Sequence, residues 1–150
     1  MIVELMLRGI ATNNNGSMSI KIRDHVEVRY FNDQFKSGEI TISCCIEWPT
    51  CVIIDIGNKY FTDTVIHQNV VVADKAIEIN SMLINRFPVQ YEKMESLFNC
   101  VRHGSDIVTH ENYWGFNGQV FINFNDSSPM RYMLAINNPF EINRINWIDK

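Results

Sequence analysis

No apolar run in this 150-residue chain approaches the roughly 18 residues that a membrane-spanning helix requires, so no membrane span is expected. The opening MIVELMLRGI is apolar, but no basic residue precedes it, Glu4 lies inside it and no small-residue cleavage site follows; it reads as a first strand rather than an export signal. Glycine is sparse, at seven residues, and none of them builds G-x-S-x-G, a phosphate-cradling loop or G-x-G-x-x-G. Neither a serine-hydrolase elbow nor backbone binding of nucleotide phosphate is therefore expected. The four cysteines, Cys44, Cys45, Cys51 and Cys100, form no C-x-x-C pair and no regular framework, which points to a reducing, cytoplasmic setting. The thirteen lysines and arginines are scattered and the formal net charge is −4, whereas gripping a nucleic-acid backbone needs massed positive charge.

What is present is the composition of a globular protein, 46% apolar and 20% charged. A chain of this length buries roughly 70% of the surface its unfolded form exposes. Residues 1–150 are thus expected to fold as a single domain on one core, without metal or disulfide staples. Asparagine and isoleucine are abundant and alanine scarce, a bias that suggests an AT-rich coding sequence of bacterial or phage origin.

The first half reads as strand. In MSIKIRDHVEVRYF, Ile20, Ile22, Val26, Val28 and Tyr30 share one face and Lys21, Arg23, His25, Glu27 and Arg29 the other. EITISCCIEW repeats the alternation, and the turn-rich NDQFKSG between them predicts a hairpin that sets His25 against Cys45 and Arg23 against Glu47. CVIIDIG and KYFTDTVI, separated by Gly57 and Asn58, read as a second hairpin. From Asp74, a helix-capping residue, Ala76, Ile79, Leu83 and Phe87 fall at helical spacing. Pro88 then ends that helix and opens another, with the stripe Tyr91, Met94, Leu97, Phe98 and Val101 and a stop at Gly104. DIVTHE, QVFINF and MRYMLAI return to strand character, while residues 139–150 fit either a closing strand or a short helix. The expected fold class is α+β, a mostly antiparallel sheet of about seven strands with two consecutive helices near residues 74–103.

Chemistry-bearing side chains concentrate in CVRHGSDIVTHENYWG, residues 100–115. Cys100, His103, Asp106, His110 and Glu111 include metal-ligating types as well as a thiol, a base and an orienting acid. Their spacing matches neither a zinc finger nor H-E-x-x-H. With Gly104 ending a helix, the stretch divides into a helix end, a stop and a short strand, so no catalytic residue, metal ligand or cofactor is assigned. Large aromatics lie near expected loops or element ends, where they often anchor interfaces, and acidic side chains accompany them. The expected partner-binding residues are Asp106, Glu111, Tyr113, Trp114, Glu39, Glu47, Trp48 and Asp126.

These features point first to a small, acidic, cytoplasmic binding protein rather than an enzyme. Its most concrete form is an immunity protein that masks a basic toxin domain through complementary charge and shape. Two other readings remain open: a small hydrolase or nuclease using histidine and carboxylate groups of residues 100–111, with Cys100 or a metal; and a small-molecule-binding module with a concave pocket. Oligomeric state is left open.

Overall fold

A computed structural model describes residues 1–13, 16–126 and 128–137. In chain order its strands are β1 (Ile2–Thr12), β2 (Ser19–Arg23), β3 (Val28–Asn32), β4 (Gly38–Glu47), β5 (Thr50–Gly57), β6 (Val65–His67), β7 (Val70–Ala73), β8 (Ala76–Ile84) and β9 (Phe87–Pro88), then β10 (Asn99–Arg102), β11 (Val108–His110), β12 (Tyr113–Trp114) and β13 (Gly118–Phe124). Helix α1 (Tyr91–Leu97) separates β9 from β10, and α2 (Pro129–Asn137) follows β13. One sheet has the order β12-β8-β1-β4, with β9 on β8; a six-stranded sheet has the order β11-β10-β13-β5-β2-β3; β6 and β7 pair only with each other.

Period-two alternation makes both larger sheets two-faced. Inward residues of β1, β4 and β8, such as Leu5, Leu7, Ile42, Ile46, Ile79 and Met82, meet Ile20, Ile22, Ile54, Val120 and Ile122 of the six-stranded sheet in one core. The chain is therefore mostly antiparallel sheet with two small helices, in keeping with α+β, but the strands form three sheets and not one of about seven strands. Alternation shows which residues of a strand are buried; it does not say which strands are neighbours.

The expected first hairpin is one such case. MSIKIRDHVEVRYF is itself a hairpin of β2 and β3, turned at Asp24, whose carboxylate accepts the backbone N–H groups of Val26 and Glu27 at 2.9 and 3.0 Å. β4 pairs with β1 instead, so Cys45 lies opposite Glu4 and the His25–Cys45 pairing does not form. CVIIDIG pairs with β2 and β13, while KYFTDTVI contributes a 3-10 turn (Phe61–Asp63) and then β6.

The expected helix after Asp74 is strand β8, whose alternation breaks once. β8 pairs with β1 across a bulge between Arg8 and Gly9, so its inward set shifts from Ile77 and Ile79 to Met82 and Ile84. One inserted residue interrupts the period of two, and the expected helical stripe meets the buried set only at Ala76 and Ile79, since Leu83 is half-buried and Phe87 is exposed. Gly9 permits the bulge, because a Cβ there would stand 1.9 Å from the carbonyl oxygen of Glu78. The second expected helix is cut to α1, after which Asn99 to Arg102 form β10. MRYMLAI, expected as a strand, lies in α2: Pro129 occupies its first turn and the Ser128 hydroxyl accepts the N–H of Arg131 at 3.2 Å. Residues 139–150 lie outside the described residues.

Candidate functional site

Side chains on the outer face of the six-stranded sheet fall into two transverse rows, because residues directly across antiparallel strands share a face. One row runs Val108, Val101, Gln119, Asp55, Lys21 and Phe31. The next runs His110, Asn99, Phe121, Ile53, Arg23 and Val28. None of the twelve is buried, and Phe31 at the end of its row is 58% exposed. At the usual strand separation such a row spans roughly 24 Å. Polar groups thus occupy the middle of an extended surface, with apolar and aromatic groups beside and beyond them.

Asp55 is the hub of the polar part. Its Oδ1 accepts Gln119 Nε2 at 2.8 Å and its Oδ2 accepts Arg23 Nε at 2.9 Å, with Lys21 Nζ at 3.8 Å. Burial alone would raise its pKa, but the hydrogen bonds from Arg23 and Gln119 and the two cations outweigh that effect and hold the carboxyl below its ordinary value. It is therefore an ionised acceptor at neutral pH. The amide of Asn99 donates to Phe121 O at 3.0 Å, which fixes it beside the Phe121 ring's own strand. A groove of about 500 Å³ opens where Asp55, Gln119 and Val101 meet the turn His103–Gly104–Ser105 and Asn117. Asn117 is held from behind, accepting Lys59 N–H at 2.9 Å and donating to Lys59 O at 2.7 Å.

The reactive-looking stretch divides between two faces. Cys100 is buried inward, donates to the carbonyls of Phe98 and Glu111, and has its thiol pushed by burial up to about 11, so it is a poor nucleophile at neutral pH. His110 lies on the outer face with Nδ1 3.2 Å from Phe98 O. Glu111 is tied to the Arg102 guanidinium by two hydrogen bonds of 2.7 and 2.8 Å. Asp106 is exposed in the turn, and His103 lines the groove. The grouping of Cys, His and carboxylate that hydrolysis would use is thus not assembled among these residues.

The residues expected to bind a partner are dispersed. Trp48, 3% exposed, stacks on Phe124 at 4.9 Å, and Trp114, fully buried, meets Phe98 edge-on at 5.2 Å; both fill the core. Asp126 accepts Trp48 Nε1 through its backbone carbonyl at 3.1 Å, and the Tyr113 hydroxyl donates to Asp74 at 2.6 Å. Glu39 and Glu47 stand on β4 eight residues apart, roughly 27 Å along a strand, with Glu47 3.4 Å from the N-terminal ammonium. Sequence reasoning missed Asp55, Gln119, Asn99, Phe121 and Phe31. The available signal was the outward half of each alternation, in which Lys21 and Arg23 were noted, but strand order alone brings these residues together.

No protein-family model and no curated protein matches the chain. Two solved structures share its fold. The selenomethionine form of vCBM60, from work linking two families of calcium-dependent carbohydrate-binding modules by circular permutation, superposes with a TM-score of 0.50 over 81% of this chain and 90% of that chain, at 10% identity. vCBM60 in complex with galactobiose superposes with a TM-score of 0.51 over 80% of this chain and 97% of that chain, at 9% identity. At such identity the likeness is one of fold. It corrects the expectation of an immunity protein with a basic toxin domain as partner, since these neighbours are carbohydrate-binding modules and one holds a disaccharide. It accords with a small-molecule-binding module better than with a hydrolase or nuclease.

Proposed function

We propose that this chain is a non-catalytic carbohydrate-binding module that holds a neutral oligosaccharide on the outer face of its six-stranded sheet. The observation that carries this reading is the pair of outward rows, in which Asp55, Gln119, Lys21, Arg23 and Asn99 are set among Phe31, Phe121 and Ile53 on a fold shared with a sugar-binding module. Sugar hydroxyls both donate and accept, and are matched by carboxylate acceptors, amide groups with both capacities, and cationic donors. The C–H faces of a pyranose are apolar and suit aromatic and aliphatic surface. Asp55 keeps a second lone pair on each oxygen after Gln119 and Arg23 have donated, so it can still accept a hydroxyl. The Asp55 carboxylate offsets one of the two cations Lys21 and Arg23, and the choice of a neutral sugar follows the galactobiose held by the similar module.

The four cysteines are unpaired, with Cys45 and Cys51 exposed, and a reducing, cytoplasmic location forms part of the proposal. The test is calorimetric titration of the full chain with galactobiose and a panel of other neutral oligosaccharides. Saturable binding that weakens at least tenfold in Asp55→Ala supports the reading; absence of binding to every member of the panel refutes it.

A further inference from the structure

Calcium takes roughly six to eight oxygen ligands, so a site for it needs several acceptors with unoccupied lone pairs facing one point. Five carboxylates among the described residues are instead engaged, wholly or in part, by the chain's own donors. Asp24, buried in the turn after β2, accepts Val26 N and Glu27 N on Oδ1 at 2.9 and 3.0 Å, and Arg29 Nε and Glu47 N on Oδ2 at 2.8 Å each. Asp74 accepts Lys59 Nζ at 2.6 Å, Thr64 Oγ1 at 2.8 Å, the backbone N–H of Lys75 at 2.8 Å and the Tyr113 hydroxyl at 2.6 Å. A carboxylate has about four lone-pair sites; Asp24, with two donors on each oxygen, is saturated, while Asp74 has three donors on Oδ1 and one on Oδ2.

Three other carboxylates are also engaged by the chain's own groups, while Glu4 Oε1 is buried without a hydrogen bond and has the Arg86 guanidinium 3.7 Å away. Asp63 and Lys75 are buried together with Oδ2 and Nζ 3.8 Å apart, and Lys75 Nζ also donates to Asn58 O. Glu111 is gripped by Arg102 at 2.7 and 2.8 Å and by the Thr109 hydroxyl at 2.6 Å. Asp55 is held by Arg23 and Gln119 and keeps one acceptor position on each oxygen, a single carboxylate where calcium needs several oxygen ligands. Among the described residues no three His, Cys, Asp or Glu side chains converge as a metal site would require. An ion placed on Asp74 would stand beside the Lys59 ammonium that Oδ1 already holds at 2.6 Å.

We infer that this chain carries its own cations where the related modules depend on calcium. Arg29, Lys59, Lys75, Arg23 and Arg102 balance the carboxylates that a metal would otherwise bridge, so the described fold is complete, and the sugar face operates, without calcium. The part concerning the sugar face rests on the function proposed above; the part concerning calcium does not.

The experiment is a calorimetric titration of the full chain with calcium chloride in the absence of sugar, with thermal unfolding recorded in EDTA and in excess calcium. No saturable heat and the same Tm in both buffers are expected. A saturable calcium site, with Tm raised on the order of 5 °C or more at a hundredfold excess over its Kd, overturns the inference. A galactobiose titration repeated in EDTA forms the second arm: affinity unchanged by the chelator agrees, and affinity abolished by it overturns. If galactobiose and the wider panel bind in neither buffer, the proposed function fails while the calcium titration still decides the metal question.

Discussion

Gln119 Nε2 donates to Asp55 Oδ1 at 2.8 Å across adjacent strands β13 and β5, the register that centres the polar part of the outer face. Gln119→Glu would replace that donor with a second carboxylate. The variant is expected to lose sugar affinity and, at neutral pH, about 1–2 kcal/mol of stability through unrelieved repulsion and a lost charge-assisted hydrogen bond. Urea unfolding should show the deficit at pH 7 and its partial recovery near pH 4, where one carboxyl of the pair takes a proton. A deficit independent of pH would mean that the contact is merely steric.

Acid stability follows from Asp24 and Asp74. Burial would raise both pKa values, but the four donors around each carboxylate prevail and lower them from the ordinary 3.8 to about 2. A group with a lowered folded-state pKa binds fewer protons than it does in the unfolded chain, so its stabilisation is fully present above about pH 4 and is lost as pH falls towards 2. Denaturant titrations at intervals through that window should show stability falling with pH, with Asp24→Asn and Asp74→Asn less steep than the parent. Parallel slopes in all three would contradict the assignment.

Gly9→Ala tests the bulge that interrupts the alternation of β8. The added methyl meets the Glu78 carbonyl oxygen at 1.9 Å, backbone that cannot move aside without opening the β1–β8 pairing. A loss of about 1–3 kcal/mol or more is expected from chemical denaturation. Ala at Gly104, where φ is +79° and no atom lies within 4 Å, is strained by its backbone alone and should cost less.

That bulge also explains much of what could and could not be read from the chain. The outward and inward sets of β2 and β4 were legible because each strand alternates without interruption. In β8 the bulge shifts the buried set from Ile77 and Ile79 to Met82 and Ile84, so Leu83 of the expected helical stripe falls on the other face, and a bulge depends on a partner strand 70 residues away. MRYMLAI looked extended because its apolar residues run together, whereas its true signals were Ser128 and Pro129 just upstream. The site was less legible than the fold. Lys21 and Arg23 were visible as outward charges, but their meeting with Asp55 and Gln119 depends on the order β13-β5-β2, which no local pattern encodes.

Trp114 distinguishes a core aromatic from a surface anchor. It is fully buried against Phe98, and its indole N–H donates to Glu111 O at 2.9 Å. Trp114→Ala is expected to cost about 3–5 kcal/mol in urea unfolding. Under conditions where the variant remains folded, its affinity for sugar should match the parent. Lost affinity with unchanged stability would return Trp114 to the binding surface.

The central claim is that a neutral sugar lies on the outer face of the six-stranded sheet, and calorimetric titration of the parent, Asp55→Ala and Phe31→Ala with galactobiose and the oligosaccharide panel tests it most directly. The account predicts saturable binding by the parent and at least a tenfold loss in each variant, with circular dichroism of all three unchanged. Failure of the parent to bind any sugar, or binding that both variants retain in full, would contradict it.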